Sequence, residues 1–152
     1  MGRFVPLLIP FMLSASATLP QHLLSDCVYA DTLVGTWGTH YSYDDGAEVF
    51  YTEKTYRPDG TAEGSVSHKV RLPSGKYRIA NRISYKSRWH IANGVVVITR
   101  MHFSPPDPEL ETVVMRDRII VIDGQKAVFE NVEDGTRFEA YRQEGSVPLR
   151  EP

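Results

Sequence analysis

The sequence predicts an all-β protein, an eight-stranded antiparallel up-and-down β-barrel. Three observations carry this expectation. From Gly35 onward, apolar and polar residues alternate with period two. Eight such runs follow one another, parted by turns built of Gly, Pro, Asn and Asp. Helical spacing is confined to residues 21–31, around Leu23, Leu24, Cys27 and Val28. Short turns force neighbouring strands antiparallel. Eight strands that close on themselves also remove both exposed sheet edges. A two-sheet sandwich is the competing arrangement, but it usually needs longer Greek-key connections.

The first strand, residues 34–43, sets Trp37, Thr39 and Tyr41 on one face. Asp44-Asp45-Gly46 turns the chain into a second strand, residues 47–57. Pro58-Asp59-Gly60 is a strong turn, with Pro presetting φ and Gly accepting positive φ. The third strand, 61–71, alternates cleanly, with Ala62, Gly64, Val66, His68 and Val70 on one face. Leu72-Pro73-Ser74-Gly75 leads into a long fourth strand, 76–92. Asn93-Gly94 is the clearest hairpin signal, because a type I′ turn needs positive φ at both central residues. The fifth strand is 95–103, and the proline-rich stretch 104–108 must be a loop. A sixth strand, 110–122, ends at Asp123-Gly124. A seventh, 126–132, ends at Glu133-Asp134-Gly135, and the eighth is 136–143.

The barrel is therefore expected over residues 34–143, followed by a loose tail over 144–152. Residues 18–33 form an N-terminal segment with room for a short helix. Residues 1–17 read as a cleaved secretory signal: one cation, Arg3, an apolar stretch from Phe4 to Leu13, then Ala15-Ser16-Ala17. That stretch is too short to cross a bilayer, so no transmembrane segment is expected. The expected location is exported, periplasmic or secreted. Cys27 is the one cysteine, so no internal disulfide can form. Asp26 stands where a lipobox needs a small residue, so a lipid anchor at Cys27 is not expected. The net charge of −2 implies no nucleic-acid partner and offers no polybasic patch for an anionic membrane.

The motifs resemble a known family. Gly35-Thr36-Trp37 resembles the G-x-W that opens the first strand of lipocalins and other calycin barrels. Tyr56-x-x-Asp59-Gly60-Thr61 resembles the F-x-x-D-G-T hairpin of small bacterial lipocalin-like domains. Trp89-His90-Ile91 before Asn93-Gly94 resembles their central W-x-I hairpin, and Asp134-Gly135-Thr136 through Tyr141-Arg142 their closing strand. The order and spacing match across nearly all of residues 34–143. The resemblance implies a lipocalin-like barrel in which Trp37 closes one end and Arg142 packs over its ring. Such a contact combines cation–π attraction with spare guanidinium donors. The absence of a disulfide pair departs from animal lipocalins and favours a bacterial envelope protein.

If Asn93-Gly94 are the two loop residues, Trp89 faces Ile98, Ser87 faces Arg100 and Tyr85 faces His102. With Trp89 inward, Ile91, Val96, Ile98, Tyr85, Arg100 and His102 share its face. Phe50, Thr52, Lys54 and Tyr56 share a face of the second strand, and Phe138 and Ala140 one of the eighth. The expected ligand-binding set is Tyr41, Phe50, Tyr56, His68, Tyr85, Trp89, Ile98, Arg100, His102 and Phe138. Apolar walls with a few convergent polar groups suit a small hydrophobic or amphipathic ligand. Lys54, Arg100 and His102 together would suit an anionic head group such as a carboxylate. A bulge would instead turn Lys54 or Arg100 outward.

No enzyme is expected. The five histidines show no tight ligand spacing, so no metal and no cofactor are predicted. There is no G-x-S-x-G, and the lone cysteine lies outside the barrel. Paired catalytic carboxylates are not expected, because Glu63, Asp117, Asp123, Glu133 and Asp134 read as turn or outward-facing positions. The leading expectation is thus a non-catalytic exported barrel binding a small amphipathic molecule. The alternative is a filled barrel that acts as an envelope protein–protein interaction or inhibitor module. The 104–108 loop and the 76–103 hairpin would then be its working surfaces.

Overall fold

The computed structural model describes residues 21–144. The signal-peptide reading of 1–17 and the tail beyond Glu144 lie outside the described residues. Helix α1 (Gln21–Leu33) precedes eight strands: β1 (Gly35–Tyr43), β2 (Glu48–Tyr56), β3 (Thr61–Arg71), β4 (Tyr77–Ala92), β5 (Val95–Ser104), β6 (Met115–Ile122), β7 (Lys126–Asn131) and β8 (Arg137–Arg142). Each strand pairs antiparallel with the next, and β8 pairs back onto β1 through Trp37–Arg142 and Gly38–Tyr141. The sheet closes into the up-and-down barrel that the alternation predicts, with every edge paired somewhere along its length.

The turns form by the chemistry expected of them. Asp59 accepts from both the amide and the hydroxyl of Thr61. Asn93 and Gly94 have φ of 54° and 73°, the left-handed pair a type I′ hairpin requires. Asp123 accepts from the amides of Gln125 and Lys126 at 2.7 Å each. The one misplaced boundary is the start of β6. Residues 108–111 form a short helix, α2 (Pro108–Glu111), whose two leading amides are capped by Asp107. That cap and the prolines before it hold the chain out of the sheet until Met115.

One end of the barrel is plugged. The β2–β3, β4–β5 and β6–β7 turns lie at this end, where β1 begins, and α1 sits across it. Asp26 of α1 accepts from the amides of Asn93 and Gly94 at 2.8 and 2.7 Å, tying the helix to the β4–β5 turn. Leu33, fully buried, belongs to the core cluster that also holds Trp37, Trp89, Val96 and Ile98, and Tyr29 and Ala30 pack against that cluster. Cys27 is exposed on α1. At the other end lie the turns β1–β2, β3–β4 and β7–β8, and the long loop carrying α2. No helix among the described residues is long and apolar enough to cross a membrane.

Three bulges interrupt the ladder: opposite the His68–Lys69 step of β3, between Lys86 and Arg88 of β4, and between Ile119 and Val121 of β6. Each adds an unopposed residue and reverses which side chains face in beyond it. The β4–β5 bulge overturns part of the expected register. Arg100, with φ of 52°, is the extra residue on β5. Past it, Tyr85 faces Phe103 and Lys86 faces His102.

Candidate functional site

The barrel is hollow above its plug. A cavity of about 390 Å³ lies between the plugged end and the α2 loop, at the lower end of the roughly 300–1,000 Å³ typical of small-molecule sites. Its floor and walls are largely apolar: Trp37, Met101, Phe103, Met115, Phe129 and Phe138. Leu110 and Val113, from the loop around α2, reach its mouth. Polar groups enter from every side: Thr39, Tyr41, Thr52, Lys54, Tyr56, Tyr85, Asp117 and Asn131.

The register explains how they converge. Trp37, Lys54, Gly64, Tyr85 and Phe103 are successive partners across β1 to β5, forming one inward-facing rank. Val96, Asp117 and Asn131 continue a similar rank across β5 to β7. Lys54 on β2 and Asp117 on β6 are four strands apart either way round the barrel, so they occupy opposite walls. They influence each other's charge but form no ion pair.

Asp117 is 3% exposed, and its Oδ1 has no hydrogen-bond partner. Burial pushes its carboxyl above the ordinary value, and the facing Lys54 offsets only part of that. Burial by itself would depress the Lys54 ammonium, but the Tyr56 and Tyr85 phenols and Asp117 outweigh it and hold it raised. Lys54 Nζ stands 5.8 Å from the centre of the Tyr56 ring. Burial pushes the Tyr56 phenol up to about 12, and that of Tyr41 also rises. The lumen therefore sets the Lys54 ammonium opposite a carboxyl that burial disfavours in its charged form, and Asp134, which also lines the cavity, adds to that penalty.

Of the residues expected to bind a ligand, Tyr41, Tyr56, Tyr85 and Phe138 line the cavity. Trp89 and Ile98 lie below it in the plugged end. Trp89 donates to Arg57 O at 3.0 Å and meets the Tyr56 ring edge-on. Phe50 and His68 stack at 4.3 Å near the rim, where His68 Nε2 lies 3.2 Å from Glu48. They line a separate shallow hollow or none, and not the lumen. Arg100 and His102 are outside the barrel, turned out by the β4–β5 bulge. His102 instead faces Glu111 of α2 at 3.7 Å. Asp117 corrects the expectation in the opposite sense: it faces in. The sign was present in β6, where Met115, Asp117 and Ile119 share one face between Arg116 and Arg118.

Trp37 and Arg142 meet at the plugged end. The guanidinium carbon lies 4.6 Å from the centre of the indole, and Trp37 Nε1 donates to Leu33 O at 2.7 Å. Trp37 shows its other side to the cavity. Gly35, at φ 129°, leaves the space that the Arg142 Nη1 occupies, since a Cβ there would overlap it. Among the described residues no group of three His, Cys, Asp or Glu is placed to hold a metal ion. No protein-family model matches the chain, and no curated protein matches it either.

Proposed function

We propose that this protein is an exported, non-catalytic carrier that holds one small amphipathic molecule in its lumen. The observation that carries this reading is the buried Asp117 carboxyl, its Oδ1 without a hydrogen-bond partner, at the wall of a 390 Å³, mainly apolar cavity. An unsatisfied buried polar group costs about 1–3 kcal/mol, more when charged. A ligand that donates a hydrogen bond to Asp117 and accepts one from Lys54 recovers that cost. Its apolar body would rest on Met101, Met115, Phe129 and Phe138.

This revises the expected head group. Only Lys54 of the three cations proposed for a carboxylate faces the lumen, and Asp117 repels a second carboxylate. A hydroxyl, amide or zwitterionic head fits the pair better. The up-and-down topology, the Gly35-Thr36-Trp37 opening and Arg142 over Trp37 support a place among the lipocalin-like barrels. The leader-like residues 1–17 support export. A cavity of this size favours a carrier over a filled interaction module.

Native mass spectrometry of the protein isolated from its own cells, with organic extraction of what dissociates, tests the reading. The expected result is a defined small-molecule adduct that is lost on denaturation. It should also be absent from Asp117→Leu and Lys54→Met. A bare mass that persists after incubation with fatty alcohols, fatty amides and fatty acids overturns it.

A further inference from the structure

The net charge of −2 conceals an uneven distribution. Residues 64–106 carry eight Lys and Arg and no Asp or Glu. The other nine cations share the rest of the chain with all 19 acids. The topology folds this segment into three adjacent strands, β3, β4 and β5. The exposed outer positions of β4 include Arg82, Lys86 and Arg88, and the β5 bulge sets Arg100 beside them. Among the described residues, none of the eight pairs with a carboxylate, whereas five of the seven other Lys and Arg do. Of the acids beside it, Glu63 is held by Arg57, Glu53 borders the same outer hollow as Arg82 and Lys86, and Asp59 lies near Arg88, yet none of them forms an ion pair with the eight cations. The chain thus builds one basic wall without ion pairs that the overall charge does not reveal.

The same wall runs past the barrel rim. Every residue from Arg71 to Arg82 is exposed. Leu72, Tyr77 and Ile79 stand among these cations, Ile79 with 55% of its surface in solvent. Tyr77 and Ile79 pair with Arg71 and Lys69, so apolar and cationic side chains alternate between the two strands. The Tyr77 hydroxyl donates to Gly46 O at 2.7 Å and braces the hairpin against the β1–β2 turn. This braced, apolar-tipped, basic hairpin projects from the end of the barrel that carries the cavity mouth.

We propose that the β3–β4 hairpin and the adjoining basic wall dock the protein on an anionic lipid bilayer. Leu72 and Ile79 enter the interface, and the Arg and Lys side chains meet the head groups. Each Lys or Arg at an anionic leaflet is worth about five-fold in partitioning, and buried apolar side chains add to it. A polyanion such as nucleic acid would be held by charge alone, with no use for the exposed Ile79. Docking in this pose turns the lumen mouth toward the lipid. The proposal does not depend on what the lumen holds.

Flotation with vesicles tests it, comparing phosphatidylcholine alone with three parts phosphatidylcholine to one part phosphatidylglycerol. The protein should float with the anionic vesicles only, and less as salt is raised. Replacing Arg71, Arg82 and Lys86 by Glu should weaken partitioning by roughly 100-fold. Ile79→Ser should weaken it by about ten-fold. All four positions are exposed, so thermal unfolding run in parallel should be unchanged. Equal binding to neutral vesicles, or full binding by the charge-reversed variant, overturns the proposal. So does an Ile79→Ser variant that binds vesicles and heparin as the parent does, which would make the wall a general polyanion surface.

Discussion

Arg142 lies over the indole of Trp37 and, in the same pose, donates to three carbonyls: Thr32 O, Val34 O and Gly124 O. One side chain thereby joins the last strand, the end of α1, the entry to β1 and the β6–β7 turn. Arg142→Lys keeps the charge but cannot form this planar fork. It should lower unfolding free energy by about 2–3 kcal/mol, measured by urea denaturation. A change within error would show that the plug holds without it.

Tyr85 lies across Gly64, its partner on β3. A Cβ on Gly64 would come within 2.5 Å of the phenol ring. Gly64→Ala should destabilise by about 1–3 kcal/mol, because the ring must move into the lumen or out of its rotamer. In a Tyr85→Ala background the same change should cost almost nothing. The double-mutant cycle would then give a coupling close to the whole single-mutant effect.

The buried Asp117 makes stability fall as pH rises. Its carboxyl is raised in the folded state from an ordinary value of 3.8, so the folded protein binds more protons than the unfolded chain between those two values. Stability is therefore full below 3.8 and declines through the folded value. Asp117→Asn removes the penalty. In ligand-free protein it should raise unfolding free energy at pH 7 by about 1–3 kcal/mol, and the gain should vanish in acid. Thermal melts across pH check this, and a gain that is independent of pH would contradict it.

Asp26 holds α1 on the barrel through the amides of Asn93 and Gly94. Asp26→Ala should cost about 1.5–3 kcal/mol, the usual worth of hydrogen bonds to a charged group. Amide exchange should rise in α1 and at Gly94 before it rises in β2 or β3. Uniform exchange across the barrel would mean that α1 and the sheet unfold together.

The strand count, the turns and the closed up-and-down barrel were legible in the sequence, because alternation and turn chemistry are local properties. So were Tyr41, Tyr56, Tyr85 and Phe138 as lumen residues, since no bulge separates them from the positions that set their phase. Arg100 and His102 were not legible. One extra residue on β5 reverses everything after it, and the strand's own pattern does not record what its partner leaves unopposed. Asp117 was obscured for a related reason. A carboxylate reads as outward unless something else fixes the phase of β6, and its pairing with Val96 and Asn131 does so.

By itself, then, the sequence determined the architecture of this protein, through periodicities that each strand carries alone. The tertiary structure decided which charged groups face the lumen and that the cations of residues 64–106 gather on one wall. Both depend on which side chains meet across strands far apart in the chain, and that is set by inter-strand register and not by any one strand's pattern.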